Sequence, residues 1–391
     1  MNRKENFMSH DRMRAGLCGL LLSLPLLAHA SEEPSELGAL QVEQVVDGLE
    51  NPWGVAFLPE GQGSLITERP GRLRWLSGEG QLSAAIKGVP AVFARSQGGL
   101  LDVQLSPDYA KDRLVYLSYA EADADGDKAG TAVGRGRLSE DKSSLEDFQV
   151  IFRQQPKLST GQHFGSRLVF DRSGHLFITL GENGQRAASQ DLDKLQGKLV
   201  RVFPDGSIPP DNPFVGKGKG KGDARGEIYS YGHRNVQGAA INPQSGQLWL
   251  HEHGPRGGDE INIPQPGKNY GWPLATHGIN YSMLPIPEAK GETVPGTEAP
   301  HHVWKKSPGV SGMAFYSAER FPAWQKSLFV GALADQSLIR LQLEGDKVVH
   351  EERLLTKQGW RIRDVRQGPD GYLYVLTDER NGKLLRLGLK P

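Results

Sequence analysis

The chain has 391 residues, balances 46 Lys and Arg against 46 Asp and Glu, and contains a single cysteine. A neutral chain offers no electrostatic attraction to nucleic acid or to an anionic membrane surface, and one thiol excludes a disulfide scaffold. The 49 glycines and 25 prolines punctuate short apolar runs that alternate instead of recurring at helical spacing, which predicts an all-β chain.

At the N-terminus, Arg3, Lys4, Arg12 and Arg14 precede an apolar run from Leu17 to Leu27, and Ala28-His29-Ala30 closes it with small residues. This is the pattern of a secretory signal cleaved after Ala30. The expected organisation is therefore a cleaved segment, residues 1–30, and a single catalytic domain over 31–391, exported to the periplasm or secreted as a soluble protein. Cys18 lies inside the leader in "GLCGL", a poor match to a lipoprotein processing site, so the mature chain has no thiol. The leader also removes four basic and two acidic residues, which leaves a net charge of −2. No later stretch approaches the ~18 apolar residues of a membrane helix, so no membrane insertion is expected.

A loose unit then recurs: a small residue, alternating apolar residues, a Pro/Asp/Gly turn and a second apolar strand. It begins at Trp53, Gly99, Gly165, Val236, Val310 and Ile362, with starts 46, 66, 71, 74 and 52 residues apart. Blades of ~40–50 residues with insertions give such spacings. The expected fold is a six-bladed β-propeller of four-stranded antiparallel blades. A two-sheet sandwich or a pair of barrels could be built from the same hairpins. Between the units, "DADGDKAG" from Asp123 has alternate carboxylates but a misplaced glycine, with Gly134 where a helix-loop calcium site needs its glutamate; it reads as an acidic hairpin tip. "VGKGKGKGDARG" (215–226) follows "PPDNPF" and not a strand, so it reads as a surface loop and not a phosphate-binding turn.

In a propeller, the residues that enter each innermost strand face the central channel. Those entrances are "SQGGLLD" with Gln97, "TGQHFGSR" with His163, "YGHRNVQG" with Arg234 and Asn235, and "GWRIRDV" with Arg361 and Arg363. Each arginine alone reads as a rim residue with its stem on apolar surface, and a lone His163 as a structural histidine. Together they suit a planar polyanion, which guanidinium forks bind bidentately while a neutral imidazole removes a proton.

"HEHGPRGGDEINIPQPGKNYGWP" (251–273) is the most singular segment. Its turns free backbone carbonyls beside Asp259 and Glu260, the hard oxygen donors that calcium prefers, or else form a solvated acidic loop. His251 and His253 share a strand face, but a third ligand for a transition metal is not identifiable. Neither G-x-S-x-G nor H-E-x-x-H occurs.

From about Val45 to Arg386, "NPWGVAFLPEG", "QGGLLDV", "LVFDRSGHLFITLGEN", "DLDKLQGKLVR", "HEHGPRGGDEIN", "GKNYGWPLAT" and "IRDVRQGPDGYLYVLTDE" follow one another in an order that resembles the soluble aldose sugar dehydrogenases dependent on pyrroloquinoline quinone (PQQ), relatives of soluble quinoprotein glucose dehydrogenase. The resemblance implies a six-bladed propeller that oxidises aldoses at C1 to the lactone, with PQQ and Ca2+ as cofactors and an external, unidentified electron acceptor. It implies that His163 is the catalytic base and that Gln97, Arg234, Asn235, Arg361 and Arg363 hold PQQ, with Thr276 and Tyr281 nearby. It further implies that the carbonyls of Gly254 and Pro255 hold the cofactor's calcium, and that Glu260 and the carbonyl of Tyr270 serve a second, structural calcium. One departure stands out: Ala334 occupies a position where the family usually has a lysine that binds the cofactor's anionic groups. The alternatives are a calcium-dependent propeller hydrolase of the lactonase kind, which wants carboxylates and amides converging on one ion, and a non-catalytic ligand-binding propeller.

Overall fold

The computed structural model describes Met1 and residues 30–217 and 223–390. Residues 2–29, within the expected leader, and the centre of the glycine-lysine segment (218–222) lie outside the described residues. Six antiparallel sheets stand around a central channel. Their innermost strands are Pro52–Phe57, Leu100–Leu105, Leu168–Phe170, Val236–Ile241, Val310–Phe315 and Ile362–Gln367, which we number blades one to six. The propeller expected from the repeat is what the chain builds, and the sandwich is not.

Five blades have four strands; the sixth has five and departs from the expected four. It contains Ile362–Gln367, Leu373–Thr377 and Gly382–Leu389, and is completed by Gly38–Leu49 and Ala30–Ser35 from the other end of the chain. Leu40 pairs with Leu389 and Leu49 with Gly382 across this seam. The ring is thus closed by main-chain hydrogen bonds between the two termini.

One apolar cluster fills each blade interface. Leu65 and Val115 meet between blades one and two, Tyr116 and Ile178 between two and three, and Phe177 and Leu250 between three and four. Trp249 and Val330 meet between four and five, Phe329 and Val375 between five and six, and Ile66 and Leu384 between six and one. Period-2 alternation sends successive side chains to opposite blade faces, and both faces are covered. Each large side chain so buried contributes roughly 1.5–3 kcal/mol.

The channel end of the blades is less regular. A register shift marks the start of the inner strand in blades one, two, four, five and six, at Pro52/Val55, Leu100/Val103, Val236/Gly238, Val310/Met313 and Ile362/Asp364. An extra residue there bends the strand and re-aims its side chains. Blade three replaces the bulge with left-handed residues, His163 (φ 53°) and Ser166 (φ 84°). Midway along the channel, Arg167 contacts Asp102 at 2.9 Å and Asp364 at 3.1 Å, and Arg366 contacts the same two carboxylates at 2.8 and 2.9 Å. The Arg167 guanidinium lies 4.4 Å from the Trp53 ring. This cross-blade ion cluster lies between a cavity at the entrance end and one of about 550 Å³ at the far end, which Arg366 lines.

The "DADGDKAG" segment is the hairpin tip expected of it, with Asp123 Oδ1 accepting the N–H groups of Asp127 and Lys128. No helix among the described residues is long and apolar enough to cross a membrane.

Candidate active site

The entrance-end cavity has a volume of about 730 Å³, and Gln97, His163, Arg234, Asn235, Gly254, Pro255, Tyr281, Arg361 and Arg363 all line it. Gln97, His163, Arg234, Asn235, Arg361 and Arg363, up to 266 positions apart in the chain, meet because each lies at the entrance of an inner strand at the same end of the ring, whereas Gly254, Pro255 and Tyr281 come from later loops of blade four.

His163 is the most constrained of them. Its left-handed backbone costs about 1–2 kcal/mol for a residue with a Cβ. Three hydrogen bonds offset that cost: its N–H donates to Gln97 Oε1 at 2.9 Å, and its carbonyl accepts from Asn183 Nδ2 at 3.0 Å and from Asn183 N at 3.4 Å. Gly181 passes so close that a Cβ there would lie 1.8 Å from the His163 carbonyl oxygen. Gln97 therefore shapes the loop with its oxygen and keeps its Nε2 for a ligand.

The His163 ring makes one side-chain contact, from Nδ1 to Glu182 Oε2 at 2.6 Å, with Glu182 buried beneath it. A carboxylate at that distance accepts a hydrogen bond from Nδ1–H and leaves the Nε2 lone pair free. Glu182 is a functional residue that the sequence reading passed over. The signal was present in "LGEN": a carboxylate right after a buried apolar strand, where a chain turning toward a channel has no packing use for charge.

The arginines are held by a second unforeseen carboxylate. Asp378 lies 2.8 Å from Arg363 and 3.4 Å from Arg361. Burial would raise its pKa, but Arg363, Arg361 and Arg69 hold it down to about 2. Arg363 also donates to Gln237 Oε1 at 3.1 Å, and Arg361 to the Leu333 carbonyl at 3.1 Å. Arg234 lies over the Trp272 ring at 5.3 Å and donates to the His253 carbonyl. The Nε atoms of Arg69, Arg234 and Arg363 are buried without a partner. The other carboxylate on the wall, Asp259, is consumed by the N–H groups of Gly254, Gly309 and Val310 at 2.8–3.1 Å. The cavity is thus a strongly cationic, preorganised cup, and its unsatisfied guanidinium nitrogens fit a polyanion such as PQQ.

Calcium fits at two places. The Gly254 and Pro255 carbonyls lie on the cavity wall and accept no hydrogen bond from the described residues. Away from the cavity, Asn262 Nδ2 bridges Glu260 at 2.9 Å and Glu252 at 3.3 Å, and its Oδ1 is buried without a partner. Burial and then Glu252 push the Glu260 pKa well above its ordinary value, which is the situation a cation relieves. Tyr270 stacks on His233 beside this cluster, 5.0 Å between ring centroids. Thr276 does not reach the cavity; its Oγ1 accepts the Gly278 N–H inside the rim loop. Tyr281 stands on the rim, 70% exposed. His251 is fully buried, which lowers its pKa to about 3, and His253 donates from Nε2 to the Val310 carbonyl. No group of three His, Cys, Asp or Glu among the described residues could hold a metal, so the histidine pair is not the start of a transition-metal site.

A propeller whose channel mouth holds an imidazole–carboxylate pair among arginines belongs to the propeller enzymes that work on a small ligand at that mouth. The committed state of Asp259 and Asp378 disfavours a lactonase-type ion held by converging carboxylates. Residues 49–386 match the glucose/sorbosone dehydrogenase family, and the chain belongs to it. It is 61% identical over 365 residues to an aldose sugar dehydrogenase of Escherichia coli K12, covering 93% of this chain and 97% of that one. A crystal structure of a glucose dehydrogenase aligns with a TM-score of 0.87 at 66% identity, over 89% of this chain and 99% of the other. The PQQ-bound form of an aldose sugar dehydrogenase from Streptomyces coelicolor aligns with a TM-score of 0.72 at 30% identity, over 91% and 100% of the two chains.

Proposed function

We propose that this protein is a PQQ-dependent aldose dehydrogenase that oxidises C1 of an aldose to the lactone. The observation that carries the reading is the His163–Glu182 pair opening into a cavity whose arginines and lysines outnumber its two carboxylates, Asp259 and Asp378. When bound, PQQ supplies a quinone that accepts hydride, and its three carboxylates match the cationic wall. Arg234, Arg361 and Arg363, with the amides of Gln97 and Asn235, would hold it, and the carbonyls of Gly254 and Pro255 would hold its calcium. Tyr281 would flank the opening; Thr276 would act by fixing the rim loop. Glu260 and the Tyr270 carbonyl would take a structural calcium.

His163 takes the proton of the anomeric hydroxyl at Nε2. Glu182 sets the tautomer before reaction and stabilises the imidazolium after it. Asp378 keeps Arg361 and Arg363 fixed, so that no side-chain reorganisation accompanies ligand binding. The ion cluster at Arg167 would lie beneath the cavity, against the Trp53 ring that lines it, and substrate would enter from the mouth. Sugar preference would be set by the inter-blade loops at that mouth. The reading also includes export after cleavage at Ala30, with residues 31–391 as one catalytic domain that passes electrons to an external acceptor.

Reconstitution tests the reading. The chain purified without cofactor, given PQQ and calcium, should reduce an artificial dye in the presence of glucose. Activity that needs both additions supports it. PQQ uptake with no dye reduction across a panel of aldoses refutes the sugar assignment, and no uptake refutes the quinoprotein.

A further inference from the structure

One wall of the cavity carries polar groups that the fold does not use. Residues 305–309 leave the outer strand of blade four, His302–Trp304, and cross the mouth to blade five. They are bonded there to the 333–335 turn: Leu333 N donates to Gly309 O at 2.8 Å, and Ala334 N and Asp335 N both donate to Pro308 O, at 2.9 and 3.0 Å. The two segments form a single surface, and Lys305, Lys306, Ser307 and Ala334 all face the cavity.

The cations of this wall differ from those opposite. Arg361 and Arg363 are committed to Asp378, and Arg69 to the Ser96 carbonyl. Lys305 has no polar partner among the described residues. Lys306 meets only Asp335, at 3.5 Å, and that carboxylate is already held by Arg353 at 2.7 Å. Between the lysines and the turn, the Ser307 hydroxyl is buried without a partner. Ala334 adds only a methyl group.

We infer that Lys305, Lys306 and Ser307 form a carboxylate subsite on this wall, a reading that rests on the function proposed above. Two mobile ammonium groups and a preplaced hydroxyl offer a carboxylate three donors. The subsite provides from the 305–307 loop the cation that Ala334 does not provide from the turn. The carboxylate belongs either to the cofactor or to an acidic aldose such as a uronic acid.

Two measurements on the full mature chain separate these sources. PQQ is titrated into the cofactor-free protein with calcium, followed by tryptophan fluorescence, for wild type, Lys305→Ala/Lys306→Ala and Ser307→Ala. The reconstituted proteins are then compared on glucose and glucuronate. A cofactor carboxylate predicts PQQ binding about tenfold weaker in the double variant at low salt, with the gap narrowing at about 0.5 M salt. Adding Ala334→Lys to the double variant should recover most of the loss. A sugar carboxylate predicts unchanged PQQ affinity and a fall of at least fivefold in kcat/KM for glucuronate relative to glucose. PQQ affinity and the glucuronate-to-glucose ratio both within twofold of wild type, in variants whose melting temperature is unchanged, overturn the subsite. A wild-type chain that takes up no PQQ removes the function itself.

Discussion

Replacing Glu182 with Gln tests the base assignment without emptying the site. The volume is conserved, and the position of Oε2, which now meets both His163 Nδ1 at 2.6 Å and the Gly184 N–H at 3.2 Å, is taken either by the amide oxygen or by its NH2. The lost quantity is a charge-assisted hydrogen bond 2.6 Å long, made by an imidazole that is 13% exposed and a carboxylate that is 2% exposed. Such bonds contribute about 1.5–3 kcal/mol, or roughly 10- to 150-fold in the rate of any step that forms the imidazolium. The amide has a further effect, because its NH2 can donate to Nδ1 and place the ring proton on Nε2, the wrong tautomer for a base. Where a triad aspartate becomes asparagine, that error brings the loss to about 10⁴. In steady-state dye reduction at saturating PQQ and calcium, Glu182→Gln should lower kcat by about 10²- to 10⁴-fold. KM for glucose should stay within about threefold, since Glu182 touches the base and not the sugar. Deuterium at C1 should show an isotope effect at least as large as in wild type. A kcat within fivefold of wild type would refute the claim that Glu182 sets the tautomer of His163.

His163→Gln should lower turnover by two or more orders of magnitude while absorbance titration shows PQQ still binding; near-normal turnover removes His163 from the mechanism. Calcium at about 100 times its Kd should stabilise the chain by roughly 2.7 kcal/mol, read as a rise in melting temperature that Glu260→Gln abolishes; an equal rise in the variant would move the ion elsewhere. Lys198 is fully buried, and burial lowers its pKa to about 7, while three carbonyl acceptors within 3.0 Å pull the other way. Between pH 7 and 9 the unfolded chain keeps a proton that the folded site gives up, so stability should rise with pH, by about 1–2 kcal/mol once the carbonyls are allowed for. Denaturant unfolding at both pH values should show the rise in wild type and not in Lys198→Met; no rise with pH in wild type would mean that the carbonyls hold the ammonium charged.

The inner half of the ring was legible because it is written locally. At Trp53, Val236, Val310 and Ile362, the apolar alternation begins where the inner strand begins or one residue into it. At Gly99 the expected start precedes the strand by one residue, and the glycine lets the Arg69 carbonyl approach to where a Cβ would lie 2.2 Å from its oxygen. What stayed hidden depends on pairs distant in the chain. The partner of Gly38–Leu49 is more than 330 residues away, and nothing in "GALQVEQVVDGL" distinguishes a blade's fourth strand from an edge strand. Asp378 and Glu182 were invisible as partners for the same reason. The entrance residues could be aligned by register, but the carboxylates that organise them lie on the return side of each blade. Thr276 was placed by resemblance alone, and the loop that carries it turns its hydroxyl inward.

The seam in blade six also fixes an order of events. Residues 30–49 are synthesised before every other blade strand, yet their sheet partner, Gly382–Leu389, is the last strand among the described residues. Five blades can stack while the opening strands wait, but the circle stays open, with Ile66 and Val55 of blade one lacking Leu376 and Leu384 to pack against. The ring therefore cannot close until Gly382–Leu389 has been made. A polypeptide kept from closing in this way remains threadable to its final residues, and a truncation of about ten residues at the C-terminus would leave the opening strands without their partner.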